Sequence, residues 1–142
     1  MSTERPDHVF DPPFEIVEPA AYRAPLVFDS PHSGSVYPAQ FLAQSRLERA
    51  ELERAEDSFV DDLIADLPAR GFATMRAHFP RTYVDVNREP FELDPRMFEG
   101  RLPSFINSRS MRVAGGLGTI PRVACDAQDI YRSRLPADEA LP

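Results

Sequence analysis

Pro25-Leu26-Val27-Phe28-Asp29-Ser30 is a short apolar run that breaks off into Pro31-His32-Ser33-Gly34-Ser35, the pattern of a buried strand feeding a loop. From about Ser45 to Leu67 helix formers take over. Phe59, Val60, Leu63, Ile64 and Leu67 recur at the spacing of an amphipathic helix, with an interruption before Glu56. Arg70-Gly71 supplies the stop, because Gly tolerates the left-handed conformation that follows a helix end. Phe72 to Phe79 reads as a strand, and Arg81 to Val86 as a further extended segment closed by Asn87-Arg88-Glu89-Pro90. Strand, loop, helix, strand in this order is a β-α-β unit, so the sequence predicts an α/β fold with a mainly parallel sheet.

Outward from this unit the chain is less regular. Residues 1–24 are rich in Pro and acidic side chains, with Pro6, Pro12, Pro13 and Pro19 removing backbone donors, and read as an irregular arm before a domain over 25–142. Residues 89–111 read as a long irregular excursion of the kind that often carries function. Gly115-Gly116-Leu117-Gly118 reads as a hairpin turn or a closely approached backbone, and it lacks the flanking strand and helix of a dinucleotide site. After Ile130-Tyr131-Arg132 no strand or helix follows to complete the sheet, so an incomplete fold is expected.

Composition narrows the function. With 142 residues, 42% hydrophobic, the chain can bury a core as one domain. No run approaches the roughly 20 apolar residues of a membrane span, and Met1 to Asp11 is polar and acidic, so a cytoplasmic protein without a membrane partner is expected. The net charge of -7 argues against nucleic acid. Cys125 alone permits no internal disulfide and reads as buried and inert, so any metal must rest on His and carboxylates. There is no Lys; the cations are Arg, which grips carboxylates with paired hydrogen bonds.

His32 is the leading candidate for chemistry, since ligands bind beyond the carboxyl ends of strands in open α/β sheets. Glu56 and Asp57 have an ordinary explanation as helix N-terminal acids, yet helical projection puts neither cleanly toward water, and an inward carboxylate needs a partner, which a cation or metal is one way to supply. Asp61 and Asp62 read as solvated. Strand alternation places Arg81, Tyr83, Asp85 and Asn87 on one face and Arg88 on the other; an ion pair to Asp85 is the plain reading, and Asn87 with Arg88 holding a substrate carboxylate or oxyanion the functional one. His78 reads as a structural histidine satisfied by backbone, with a third metal position as the alternative, and His8 as inert.

Together, Ser30-Pro31-His32-Ser33-Gly34, Glu56-Asp57-Ser58-Phe59-Val60-Asp61, Tyr83-Val84-Asp85-Val86-Asn87-Arg88-Glu89-Pro90, Gly116-Leu117-Gly118-Thr119-Ile120 and Ile130-Tyr131 resemble successive motifs of the N-formylglutamate amidohydrolases. The resemblance runs from about Pro25 to Tyr131. It implies a three-layer α/β/α sandwich similar to zinc-dependent exopeptidases, present here as its amino-terminal part. It implies zinc or another divalent metal on His32 and Asp57, with Glu56 as the alternative acidic ligand, and Asn87 and Arg88 holding substrate. The implied activity is metal-dependent hydrolysis of the formyl amide of N-formyl-L-glutamate, as in histidine degradation, or of a related N-acyl amino acid. A non-catalytic binding or remnant domain is the alternative. The family's later Asp-Cys-His-Ser motif finds no counterpart after Tyr131, so a third ligand and the general base are expected outside this stretch, and the chain alone is expected to bind zinc weakly and not to deformylate at a useful rate.

Overall fold

The computed structural model describes residues 10–139; His8 lies outside them. Three strands, β1 (Phe14–Val17), β2 (Val27–Ser30) and β3 (Ala73–Ala77), form a sheet in the order β1-β3-β2. β2 and β3 run parallel, with Val27 opposite Ala73 and Ser30 opposite Arg76, so the expected β-α-β connection is present. β1 runs antiparallel to β3, Phe14 opposite Ala77. This strand corrects the irregular arm: Pro12, Pro13 and Pro19 flank Phe14-Glu15-Ile16-Val17 without interrupting it, and an edge strand tolerates prolines at its ends.

The single helix expected over Ser45 to Leu67 is instead short pieces. Helix α1 (Ala39–Gln44) precedes it, and α2 (Arg49–Glu53) and α3 (Val60–Ile64) lie within it. α2 begins at a capping box in which the Glu51 carboxylate accepts from the Glu48 backbone N–H at 2.8 Å. The chain then leaves helical geometry, and Phe59 enters α3 at a positive φ of 67°. The expected buried stripe is also corrected: Phe59 is 74% and Leu63 77% exposed, while Val60, Ile64 and Leu67 are half-buried. On β2, expected to be buried, Val27 is 67% exposed. β2 is paired on one side only, and α3 ends after little more than one turn, too short to lay a stripe on the sheet.

The cores sit away from the sheet. Phe41, Leu52 and Ile130 form one, ringed by Tyr37, Tyr83 and Tyr131. Leu93, Met97, Phe98 and Leu135 form the other, across the short parallel pair β4 (Phe98–Glu99) and β5 (Leu135–Pro136). The excursion over 89–111 is therefore ordered by its own apolar side chains, each worth about 1.5–3 kcal/mol on burial. Helix α4 (Met111–Ala114) stands where a hairpin was one expectation. The other, a close backbone approach, is what forms: a Cβ on Gly118 would lie 2.3 Å from the Glu92 carbonyl oxygen. Cys125 is half-buried rather than buried, because the chain turns outward there through the positive φ angles of Asp126 and Ala127. The described residues make a mixed α/β fold in which no helix is long and apolar enough to cross a membrane.

Candidate functional site

The loop leaving β2 carries His32 into the protein, where it is 4% exposed. Gly34 makes this possible: a Cβ there would lie 2.3 Å from the Phe79 carbonyl oxygen, so the loop can lie against the end of β3 only without a side chain. The Val36 N–H donates to the His78 carbonyl at 3.0 Å, and the Asp57 N–H to the His32 carbonyl at 3.0 Å. The break between α2 and α3 thus has a consequence for the site, since it brings the Asp57 backbone onto the His32 loop.

Strand alternation fails just beyond β3. The Tyr83 and Val84 N–H groups both donate to the Pro80 carbonyl, so the chain turns instead of extending, and the separate faces assigned to Arg81 and Arg88 are corrected. The turn gathers both arginines on one carboxylate. Asp85 accepts from Arg81 Nη2 at 3.0 Å and lies 3.3 Å from Arg88 Nη2. The Asn87 backbone N–H adds a bond at 3.0 Å, and the Asp85 N–H donates to the Thr119 carbonyl at 2.8 Å. Burial alone would raise the Asp85 carboxyl, but bonds from His32, Arg81 and the Asn87 backbone prevail and hold it down at about 2. It is a fixed anion.

Its effect falls on His32. The ring Nε2 lies 2.9 Å from Asp85 Oδ1, and a carboxylate acceptor requires a proton on that nitrogen. In the neutral ring Nδ1 then presents an unshared pair, and it faces Asp57 Oδ2 at 3.3 Å. Two acceptors so placed need something electropositive between them, either a second proton on the ring or a cation. Ligand bonds of about 2.0–2.1 Å at a tetrahedral angle put neighbouring donors about 3.3 Å apart, so the pair matches two corners of a zinc-like site. Asp85 completes the pattern by holding the non-ligating ring nitrogen, as carboxylates do behind metal-bound histidines. Among the described residues no group of three or more His, Cys, Asp and Glu converges to hold a metal ion.

The remaining candidates fall as follows. Glu56 is hydrogen-bonded to the Tyr37 hydroxyl. Burial first, then the neighbouring Glu53, raises its carboxyl, and the Tyr37 bond opposes; Tyr37 is itself raised by burial and by Glu56. His78 donates from Nδ1 to the Pro12 carbonyl at 2.8 Å, the backbone partner expected of a structural histidine. Arg88 spends donors on the Leu117 carbonyl at 2.9 Å and the Asn87 carbonyl at 2.7 Å, while Asn87 is exposed. Arg81 also reaches toward Asp57 Oδ1, at 3.8 Å. Asp61, expected to be only solvated, lies 3.5 Å from Arg76. Sequence reading undervalued Asp85, treated as a plain ion-pair partner, and did not weigh Tyr37; the pointer to the first was Pro80, which turns i, i+4 into contact at Arg81 and Asp85.

The family model for N-formylglutamate amidohydrolase matches residues 24–142. The crystal structure of N-formylglutamate amidohydrolase from Ralstonia eutropha JMP134 is 35% identical, with a TM-score of 0.79, covering 89% of this chain and 44% of that one. The chain thus spans less than half the length of that solved relative. No curated protein matches it.

Proposed function

The chain belongs to the N-formylglutamate amidohydrolase family, and from that premise we propose that it takes part in metal-assisted hydrolysis of the formyl amide of N-formyl-L-glutamate or a related acidic N-acyl amino acid. The observation that carries this reading is the imidazole of His32, fixed through Nε2 by Asp85 and turned through Nδ1 toward Asp57 at 3.3 Å. His32 Nδ1 and an Asp57 carboxylate oxygen are the atoms that would hold a zinc or similar divalent ion. The chemistry such an ion supplies when bound is polarisation of the acyl carbonyl and activation of water at neutral pH.

The other residues bind and orient. Asp85 keeps the proton of His32 on Nε2 and so leaves Nδ1 free. Arg88 is held by the Leu117 and Asn87 carbonyls and by Asp85, and the N–H donors it has beyond these, with the exposed Asn87 amide, would meet a substrate carboxylate. The exposed apolar side chains of β2 and α3 support placing this sheet within a three-layer α/β/α sandwich of the zinc-exopeptidase kind.

Since the described residues supply two ligand positions and no evident base, this chain is expected to bind zinc weakly and to turn over little. A polypeptide that continues it through a further His-containing segment is expected to bind zinc tightly and to release formate. Formate release, followed while zinc is titrated and then chelated, tests this. In the longer polypeptide His32→Ala should abolish metal-dependent turnover, and chelator-resistant turnover in that variant contradicts the proposal.

A further inference from the structure

Asp57 has little holding its own carboxylate. The side chain is 48% exposed, and its neighbours are the His32 Nδ1 it faces at 3.3 Å and Arg81 Nη1 at 3.8 Å. Among the described residues no side chain binds it at normal hydrogen-bond distance, so its aim is set by the backbone. That backbone lies in the turns between α2 and α3, outside either helix. It is tied by the Asp57 N–H on the His32 carbonyl, at 3.0 Å. Turn bonds add to this, from the Glu56 N–H to the Glu53 carbonyl at 3.1 Å and from the Val60 N–H to the Asp57 carbonyl at 3.3 Å. The side-chain tie is at Glu56, whose carboxylate accepts from the Tyr37 hydroxyl.

Tyr37 is well built to anchor. Its ring lies nearly parallel to that of Phe41, 14° apart with centroids at 6.3 Å, and Phe41 is 1% exposed in the core. The Arg49 guanidinium sits over the Tyr37 ring at 5.1 Å and is held by Glu53 at 2.7 Å. A ring fixed by core stacking therefore holds the residue next to a candidate ligand. Nothing in the proposed chemistry otherwise uses either group.

We propose that Tyr37 and Glu56 are positioning residues whose hydrogen bond pins the backbone that aims the Asp57 carboxylate at His32 Nδ1. This rests on the reading of His32 and Asp57 as a cation site. Partners bonded directly to a metal ligand alter metal affinity about 10- to 100-fold, and the expected loss here is at or below the lower end because Tyr37 and Glu56 act through the backbone and the His32 carbonyl still ties Asp57. The substitutions are mild. Tyr37→Phe keeps the stacked ring and removes only the hydroxyl, Glu56→Ala removes the acceptor, and Glu56→Gln keeps an oxygen that can accept from Tyr37 while being a poor metal ligand.

The experiment is competition for zinc against a chromophoric chelator, with the cobalt(II) visible spectrum and thermal unfolding recorded on the same samples of the longer polypeptide that continues this chain, and His32→Ala as reference. The expected result is that His32→Ala loses the site, that Tyr37→Phe and Glu56→Ala each weaken zinc by up to about 10-fold and perturb the cobalt spectrum, that their double variant is no weaker than either alone, and that Glu56→Gln stays close to the parent. Unchanged zinc affinity in Tyr37→Phe, with His32→Ala dead, overturns the anchoring role and leaves the site intact. A loss in Glu56→Gln with Tyr37→Phe unaffected overturns it in favour of Glu56 as a ligand. Unchanged zinc affinity in His32→Ala refutes the site itself, and the anchoring with it.

Discussion

Two aspartates of this protein are buried to the same degree and answer to opposite ends. Asp85 and Asp94 have side chains 4% and 3% exposed, and both carboxyls are held below their usual range against the burial that would raise them. Asp94 is satisfied locally: Arg96 grips it at 2.9 and 2.8 Å and gives its backbone N–H, with Arg122 at 3.3 Å passing on to Asp129 at 2.8 Å. Every partner there is a permanent cation or a backbone donor. Asp85 also has two arginines, but its shortest side-chain bond reaches 53 residues back to an imidazole whose other nitrogen faces a third residue. A buried, depressed carboxylate is thus no sign of a site by itself. What distinguishes Asp85 is that its bond fixes the protonation of an imidazole whose other nitrogen is turned to Asp57.

Asp85→Ala should break this comparison most severely. It strands His32, Arg81 and Arg88 together, for an expected loss of about 3–5 kcal/mol in chemical denaturation and loss of zinc binding in the same preparation. Asp94→Ala should cost about 2–3 kcal/mol, less because Arg96 can turn to water, with zinc affinity unchanged; a change in zinc affinity would erase the distinction. Gly34→Ala should cost about 1–3 kcal/mol and weaken zinc as well, since the added methyl meets the Phe79 carbonyl and pushes the His32 loop away.

Acid sharpens the contrast further. The Asp94 carboxyl is depressed in the folded state, so its contribution is fully present above the unfolded value of 3.8 and disappears as pH falls through the folded one. The stability gap between the parent and Asp94→Asn, measured by denaturant titration at successive pH values, should close below pH 3.8 and stay constant above it. At the small end, the exposed Asp66–Arg70 pair, 2.6 Å apart, should tolerate Arg70→Ala within about 0.5 kcal/mol.

The comparison also marks what could be read in the sequence. Apolar run, loop and second strand located β2, the His32 loop and β3, because local pattern and strand period are properties of neighbours in the chain. His32 and Asp57 stood out for their positions, and the structure places them side by side. Phe59 and Leu63 misled, because periodicity says which side chains share a face and nothing of whether a partner covers it. The Arg81 to Asn87 alternation misled for a local reason: a carbonyl before Arg81 accepts from two following amides and turns the chain. The Tyr37 and Glu56 pair left no local trace, since it joins residues 19 apart.

In the proposed site Asp85 fixes the tautomer of His32 so that Nδ1 would serve the cation. Imidazole ¹⁵N spectra of the labelled longer polypeptide loaded with ¹¹³Cd, with His32 assigned by the His32→Ala variant, measure this directly. The expected result is cadmium coupling at Nδ1 of His32 and a retained proton on Nε2. Coupling at Nε2, or His32 resonances that ignore the metal while it binds elsewhere, would contradict it.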